Sequence, residues 1–413
     1  MKKTTVVSKT TCIVLPLILS ACCAFAQKPP LLETGSIKPM PNEWIDADTH
    51  HKVVKISRLP GANASFYFHN NPFITDGKPE SSRMIFYNTG VNGKQVFTVN
   101  LYSLATTQIT QQSSPMSGEI VGAKKHDVYY QIKDSVFATN IDSKKTRLVF
   151  VFPADYKGSI ATLNADETLL AGAKSSDQQK EISKKYPEKS QFFNRIYDAH
   201  LPNDLFIIDI AKGELKKIHT ENTWLGHVQF SPTDPDILMF CHEGPWHKVD
   251  RIWHYNVKTK AITLMHKRSM DMEIAGHEWF SPDGKTIWFD LQLPKGQTFY
   301  VAGASVYEDG KKETRYQLTR DEWSIHFATS PDQKMFAGDG GDSGQVAKAQ
   351  DGRWIYLFRP EGDRFKSEKL VNMKTHYYKL EPNVHFSPDG KWIIFRANFE
   401  GDSQVYAVEI AKS

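Results

Sequence analysis

One phrase recurs along the second half of the chain and limits what it can fold into. His227-Val-Gln-Phe-Ser-Pro, His277-Glu-Trp-Phe-Ser-Pro, His326-Phe-Ala-Thr-Ser-Pro and Asn383-Val-His-Phe-Ser-Pro each set a metal- or proton-binding side chain four residues before a Ser-Pro turn. The serines, Ser231, Ser281, Ser330 and Ser387, are 50, 49 and 57 positions apart. That period is the length of one four-stranded propeller blade. If each phrase lies on the innermost strand of its blade, His227, His277, His326 and Asn383 face one central funnel. A repeated Ser-Pro-Asp-Gly is by itself only a turn device, with Pro fixing φ and Gly permitting the reversal. One histidine before such a turn reads more simply as a hydrogen-bonded strand residue. Three in one register point to metal binding or proton transfer.

The rest of the chain agrees with an all-β, seven-bladed propeller. Short runs rich in β-branched and aromatic residues, such as Arg83-Met-Ile-Phe-Tyr87, Asp127-Val-Tyr-Tyr-Gln131 and Leu205-Phe-Ile-Ile-Asp209, are separated by Gly, Asp, Asn and Pro. They predict antiparallel strands rather than alternating strands and helices. Degenerate copies of the phrase lie at Asn70-Asn-Pro-Phe73 and at Ile160-Ala-Thr-Leu-Asn-Ala-Asp166, and a further blade is expected over Ser117–Phe152. Closure is expected from a strand near Val53–Ser57 that completes the last blade and protects its edge. Ser175–Arg195, polar and rich in Lys and Gln, is read as an insertion containing a helix.

The N-terminus has the anatomy of an export signal: Lys2 and Lys3 precede an apolar run, Cys12–Leu19, too short to span a bilayer. Leu19-Ser-Ala-Cys22 has the residue types of a lipoprotein cleavage site, so residues 1–22 are read as the signal and Cys22 as a possible lipid anchor; Ala24-Phe-Ala26 offers an ordinary site instead. The expected location is the periplasm, free or tethered to the outer membrane. Residues 23–46, with Pro29, Pro30, Pro39 and Pro41, are read as an extended linker, and 47–413 as the propeller. Of four cysteines only Cys241 lies in the body, which rules out an internal disulfide there and leaves stability to the core. The formal charge of +4 falls to about +1 without Lys2, Lys3 and Lys9, and no basic stripe suggests nucleic acid.

The most distinctive stretch is Trp224-Leu-Gly-His227, continuing through Phe240-Cys-His242-Glu-Gly-Pro-Trp-His247 to Val249-Asp-Arg251. With Gly276-His277-Glu278 and Phe336-Ala-Gly-Asp-Gly340, it resembles the oligogalacturonate lyase family over about residues 75–396. That resemblance implies a propeller enzyme that binds a divalent metal, typically manganese, and cleaves short galacturonides, the fragments of pectin, by β-elimination. Removing the C5 proton of a uronate requires its carboxylate to be neutralised and a near-neutral base to stand close by. His277 matches a family metal ligand and His326 holds the equivalent place in the next blade. His227 and His242 compete for the role of base. Arg251 and Arg195 are candidate partners for substrate carboxylates, and Trp246, with Trp224 and Trp279, for sugar stacking.

One departure stands out. Where enterobacterial members carry His-Pro-His as metal ligands, this chain has Glu381-Pro382-Asn383. A carboxylate and an amide oxygen suit manganese, magnesium or calcium better than zinc. His385, beside the turn, is read as structural, and Asp339 with Asp342 as a weaker alternative cation pair. Two other functions stay open: a lyase for a different uronide, and a non-catalytic TolB-like propeller that binds a protein or glycan.

Overall fold

In the computed structural model, residues 1–2, 28–90, 93–345 and 349–412 are described. The expected signal beyond Lys2, both expected cleavage sites and Cys22 lie outside them. Among the described residues the strands form seven blades around one axis. Blade one runs from Ala62–Ala64 to Thr106–Gln108, blade two from Ser117–Gly122 to Thr146–Val151, and blade three from Ser159–Leu163 to Glu214–Glu221. Blades four, five and six open on Leu225–Phe230, Ile274–Phe280 and Phe327–Thr329, the innermost strands that carry the recurring phrase. Blades five and six touch through one parallel bridge, Gln317 to Arg364.

Blade seven takes three strands from the C-terminus, His385–Phe386, Trp392–Ala397 and Gln404–Lys412. The early strand His51–Lys55 then pairs antiparallel with Gln404–Lys412, Val53 opposite Val408. The two ends of the chain thus close the ring in one sheet.

The expected linker is not a linker along its whole length. Glu43–Asp46 pairs with His51–Lys55, and Leu31–Leu32 adds a parallel strand outside it. The sequence explains why. Trp44 is fully buried against Tyr406, and its Nε1 donates to Thr34 Oγ1. Buried Asp46 accepts from Thr34 Oγ1 and the Asn372 N–H on one oxygen, and from the Asp48 and Thr49 N–H groups on the other. Prolines sit comfortably at such an edge, where no ladder donor is needed.

The turns repeat one hydrogen-bond scheme. Ser281 Oγ donates to Asp283 and accepts from the Thr286 N–H, and Ser387 does the same with Asp389 and Trp392. Gly284 and Gly390 close these turns at φ 70° and 69°; in blade six Gln333 does so at φ 60°. The Lys- and Gln-rich insertion forms two helices, α1 (Asp177–Lys185) and α2 (Lys189–Ala199), between the second and third strands of blade three. Ser176 caps α1 by accepting from the Gln179 N–H.

Away from the axis, His266 is buried between two carboxylates, 2.8 Å from Glu273 and 2.7 Å from Glu313. Burial works to lower its pKa, but the two carboxylates win and raise it to about 9. A raised histidine stabilises the fold fully below its unfolded pKa near 6.5, and that stability is lost as pH climbs through about 9. Stability against thermal unfolding should therefore fall between neutral pH and pH about 10 by an amount on the order of 3 kcal/mol from this group. His266→Gln should flatten that alkaline limb. An unchanged slope would show that the triad is electrostatically silent.

Candidate active site

Three of the four recurring positions do not sit in ordinary strand geometry. His227, His277 and Asn383 have φ of 47°, 48° and 54°, and the ladders of blades four and five skip register at Gly226/Gln229 and Gly276/Trp279. A bulge with a left-handed residue turns one side chain off the strand's alternation. Holding a non-glycine residue there costs roughly 1–3 kcal/mol, and such strain gathers at functional sites. Two glycines make room beside them. A Cβ on Gly276 would come 2.5 Å from the Trp246 ring, and one on Gly226 would come 2.8 Å from Glu243.

The structure brings His277 and His326 together, ring centroids 4.9 Å apart and nearly perpendicular. Each is oriented from behind by a buried carboxylate. His277 Nδ1 lies 3.2 Å from Asp290, and His326 Nδ1 lies 2.8 Å from Asp339. Asp339 is itself fixed by the Ile325, His326 and Asn383 N–H groups, so it is a partner of His326 and not half of a cation pair with Asp342. Each arrangement leaves the far ring nitrogen for another partner. His326 Nε2 is buried without a hydrogen bond, 3.8 Å from the Glu381 carboxylate.

Beside this pair lies a charged platform. Buried Arg251 reaches Glu243 with both terminal nitrogens, at 2.6 and 3.2 Å, and Glu278 with Nε at 2.6 Å. Burial tends to raise the Glu278 carboxyl, yet Arg251 and then His227 hold it down to about 2. The other Glu278 oxygen faces His227 Nδ1 at 3.8 Å. Burial pushes the His227 imidazole below its ordinary value. Trp246, half-buried, lies edge-on to His277 at 5.3 Å and over Arg251 at 5.0 Å. His227 also lines an open cleft of about 300 Å³ with Lys157, Ser159, Ser175 and Lys180, the last carried by α1.

Three rings from blade one complete the funnel. Tyr67 touches His227 and His326, Phe68 stacks on His326 at 4.6 Å, and His69 packs against His227. Phe68 and His69 also line a larger cavity, about 550 Å³, at the opposite mouth, ringed by Pro232, Pro282, Pro331 and Pro388. That mouth is lined mainly by turns and apolar groups, whereas the paired histidines and acids lie on the Tyr67 side. Burial, then Glu381 and Glu278, hold the Tyr67 phenol well above its ordinary range, so it stays protonated.

Several residues that the sequence marks as candidates occupy other places than expected. Asn383 is fully buried, its Oδ1 accepting from the Phe68 N–H and its Nδ2 donating to the Glu381 carbonyl, so its amide anchors backbone and is not a free ligand. Arg251 is neutralised by two acids and has no free fork for a substrate carboxylate. Arg195 is an exposed residue of α2 stacked on Tyr186, because its helix turns it to solvent. His242 faces blade three, stacked on Trp253, with Nε2 3.1 Å from Glu221, since strand alternation sends Cys241 and not His242 toward Arg251. Trp224 packs on Phe192 and Phe193, and Trp279 donates to Thr329, which leaves Trp246 as the tryptophan at the funnel. His385 binds the Asn383 and Asn70 carbonyls, the structural role expected of it. Tyr67 and Asp290 join the site with no motif to mark them, whereas Glu278 lies inside Gly-His-Glu and Asp339 inside Phe-Ala-Gly-Asp-Gly.

The model of the oligogalacturonate lyase family matches residues 40–413. The chain belongs to the oligogalacturonate lyase family. An oligogalacturonide lyase of Pectobacterium atrosepticum is 23% identical over 386 residues, covering 89% of this chain and 95% of that protein. An oligogalacturonate lyase of Dickeya dadantii is 24% identical over the same shares. Among solved structures, an oligogalacturonate lyase in complex with manganese superposes with a TM-score of 0.77 at 20% identity, covering 91% of this chain and 97% of that one. The oligogalacturonate lyase of Vibrio parahaemolyticus gives 0.77 at 21%, covering 90% and 96%. An enzyme of the oligogalacturonate lyase type therefore replaces the non-catalytic propeller.

Proposed function

We propose that the funnel cleaves short galacturonides by β-elimination, aided by a divalent cation. The observation that carries this reading is the pair His277 and His326. Each imidazole is backed by a buried carboxylate, the outer partner that characteristically orients a metal-ligating histidine, and an orphaned His326 nitrogen stands 3.8 Å from Glu381. Among the described residues no three such groups already meet at one point; His277, His326 and Glu381 are the ones that would hold the ion. Two imidazoles and a carboxylate are a donor set for a divalent transition metal, and manganese is the ion held by the related lyase structure. When bound, the ion would neutralise the uronate carboxylate and stabilise the charge that develops on it as the C5 proton leaves.

The chain's own residues supply the rest. His227, kept neutral by burial, takes the C5 proton. Glu278, fixed by Arg251, faces the imidazolium that forms and favours it. Trp246 offers its exposed part to a sugar face. Lys157 and Lys180, at the rim of the cleft that holds His227, meet the carboxylates of neighbouring sugars.

The test is the ultraviolet absorbance of a conjugated unsaturated product, followed with di- and trigalacturonate before and after chelation and after adding back manganese. The expected result is a signal that chelation abolishes and manganese restores. Product formation unaffected by chelation would remove the cation from the reading, and no product from any galacturonide would move the substrate to another uronide.

A further inference from the structure

A uronide carries a carboxylate on each sugar, so a site that selects it needs cationic donors not already spent inside the protein. The funnel wall holds two guanidiniums that differ in this respect. Burial works against the Arg251 cation, but Glu243 and Glu278 win and raise its pKa. Arg396, half-buried on the blade-seven strand Trp392–Ala397, has no such acids. Its Nε donates to the Glu381 carbonyl at 2.7 Å and its Nη1 to the Ser65 carbonyl at 3.3 Å. Among the described residues no carboxylate pairs with it, and its Nη2 has no hydrogen-bond partner. Burial therefore pushes the guanidinium below its ordinary pKa, although Glu381 and Asp339 pull the other way. A cation in that state costs free energy until an anion meets it.

Glu381 joins this head to the candidate cation site: its carbonyl takes the Arg396 Nε–H, and its carboxylate stands 3.8 Å from His326 Nε2. Ser65 lies two residues before Tyr67, whose ring packs on His326 and His227. The two backbone bonds fix the head between blades seven and one and use two of its five N–H donors. Tying two carbonyls together needs only a neutral amide; the charge and the remaining donors are surplus to that task, and they suit a planar carboxylate. We propose that Arg396 binds the uronide carboxylate beside the cation site and so sets the preference for an acidic over a neutral sugar, a role that rests on reading the funnel as a galacturonide site.

The experiment is a calorimetric titration of the full-length protein in manganese buffer with galacturonate, which has no glycosidic bond to cleave, and with its methyl ester. In Arg396→Gln the affinity for galacturonate should fall about 10–100-fold, the usual worth of a hydrogen bond to a charged group, while affinity for the ester stays at the wild-type value. Arg396→Lys, which keeps the charge but not the fork, should fall between the two, and it carries the test if the glutamine variant does not fold. Acid and ester weakening together would make Arg396 a strut for the backbone only and overturn the assignment. So would an unchanged acid affinity, or a wild type that does not prefer the acid. Product from digalacturonate reads the elimination separately: acid preference lost at Arg396 in a protein that forms no product would sink the lyase mechanism and leave this assignment standing.

Discussion

Replacing His227 by asparagine should lower kcat for galacturonide cleavage by about 10²–10⁴-fold, the usual contribution of a positioned base, with little change in KM. Asparagine is the informative substitution because position 227 has φ 47°, a conformation asparagine adopts more readily than alanine. Loss of activity would then report the imidazole and not the backbone. The pH profile supplies the second readout. Burial pushes His227 below the ordinary histidine value of 6.5, against Glu243 and Glu278, which pull the other way. The base works in its neutral form, so kcat/KM should fall as pH drops through a pKa below 6.5 and stay level through neutrality. In His227→Asn that acid limb should disappear. A variant with normal kcat and the same limb would move the base to another group, with His242 next in line even though it faces away from His277.

Arg251→Met should be the most destabilising single change near the site. Arg251 is buried to 2% exposure between Glu243 and Glu278, and removing it leaves two buried carboxylates without their guanidinium. Breaking a buried ion pair from one side costs about 3–5 kcal/mol, read as a fall in the urea midpoint. The electrostatic origin has its own signature. Without the guanidinium, burial would raise both carboxyls, so the variant should be less destabilised near pH 5, where they can take up protons, than near pH 8. Adding Glu243→Gln and Glu278→Gln should recover most of the loss. Equal destabilisation at both pH values would assign the effect to lost packing against Trp246 instead.

These two residues also mark how far the sequence reaches. A period of about fifty residues, with one phrase repeated in register, determined the propeller, its blade count and the convergence of His227, His277 and His326 on one axis. Periodicity carries that much because equivalent positions in equivalent blades fall at equivalent depth. The Cys-His-Glu-Gly-Pro and Val-Asp-Arg segments pointed to the family. What the sequence did not determine is which polar groups remain free once the chain has folded. Arg251 and Asn383 look like open binding groups in the chain, yet tertiary contacts consume them, one between two glutamates and the other under Phe68.

The reverse holds for Tyr67. No motif distinguishes it, because its ring joins the site only when blade one lays it across histidines 160 and 259 residues away. Asp290 and Asp339 likewise become orienting partners only through strand pairing, Asp290 opposite Gly276 and Asp339 beside His326. The linear chain thus determined fold, family and the ring of histidines. The division between groups that face substrate and groups that hold the wall depends on burial and hydrogen-bond partners supplied by distant segments, and only the tertiary structure decided it.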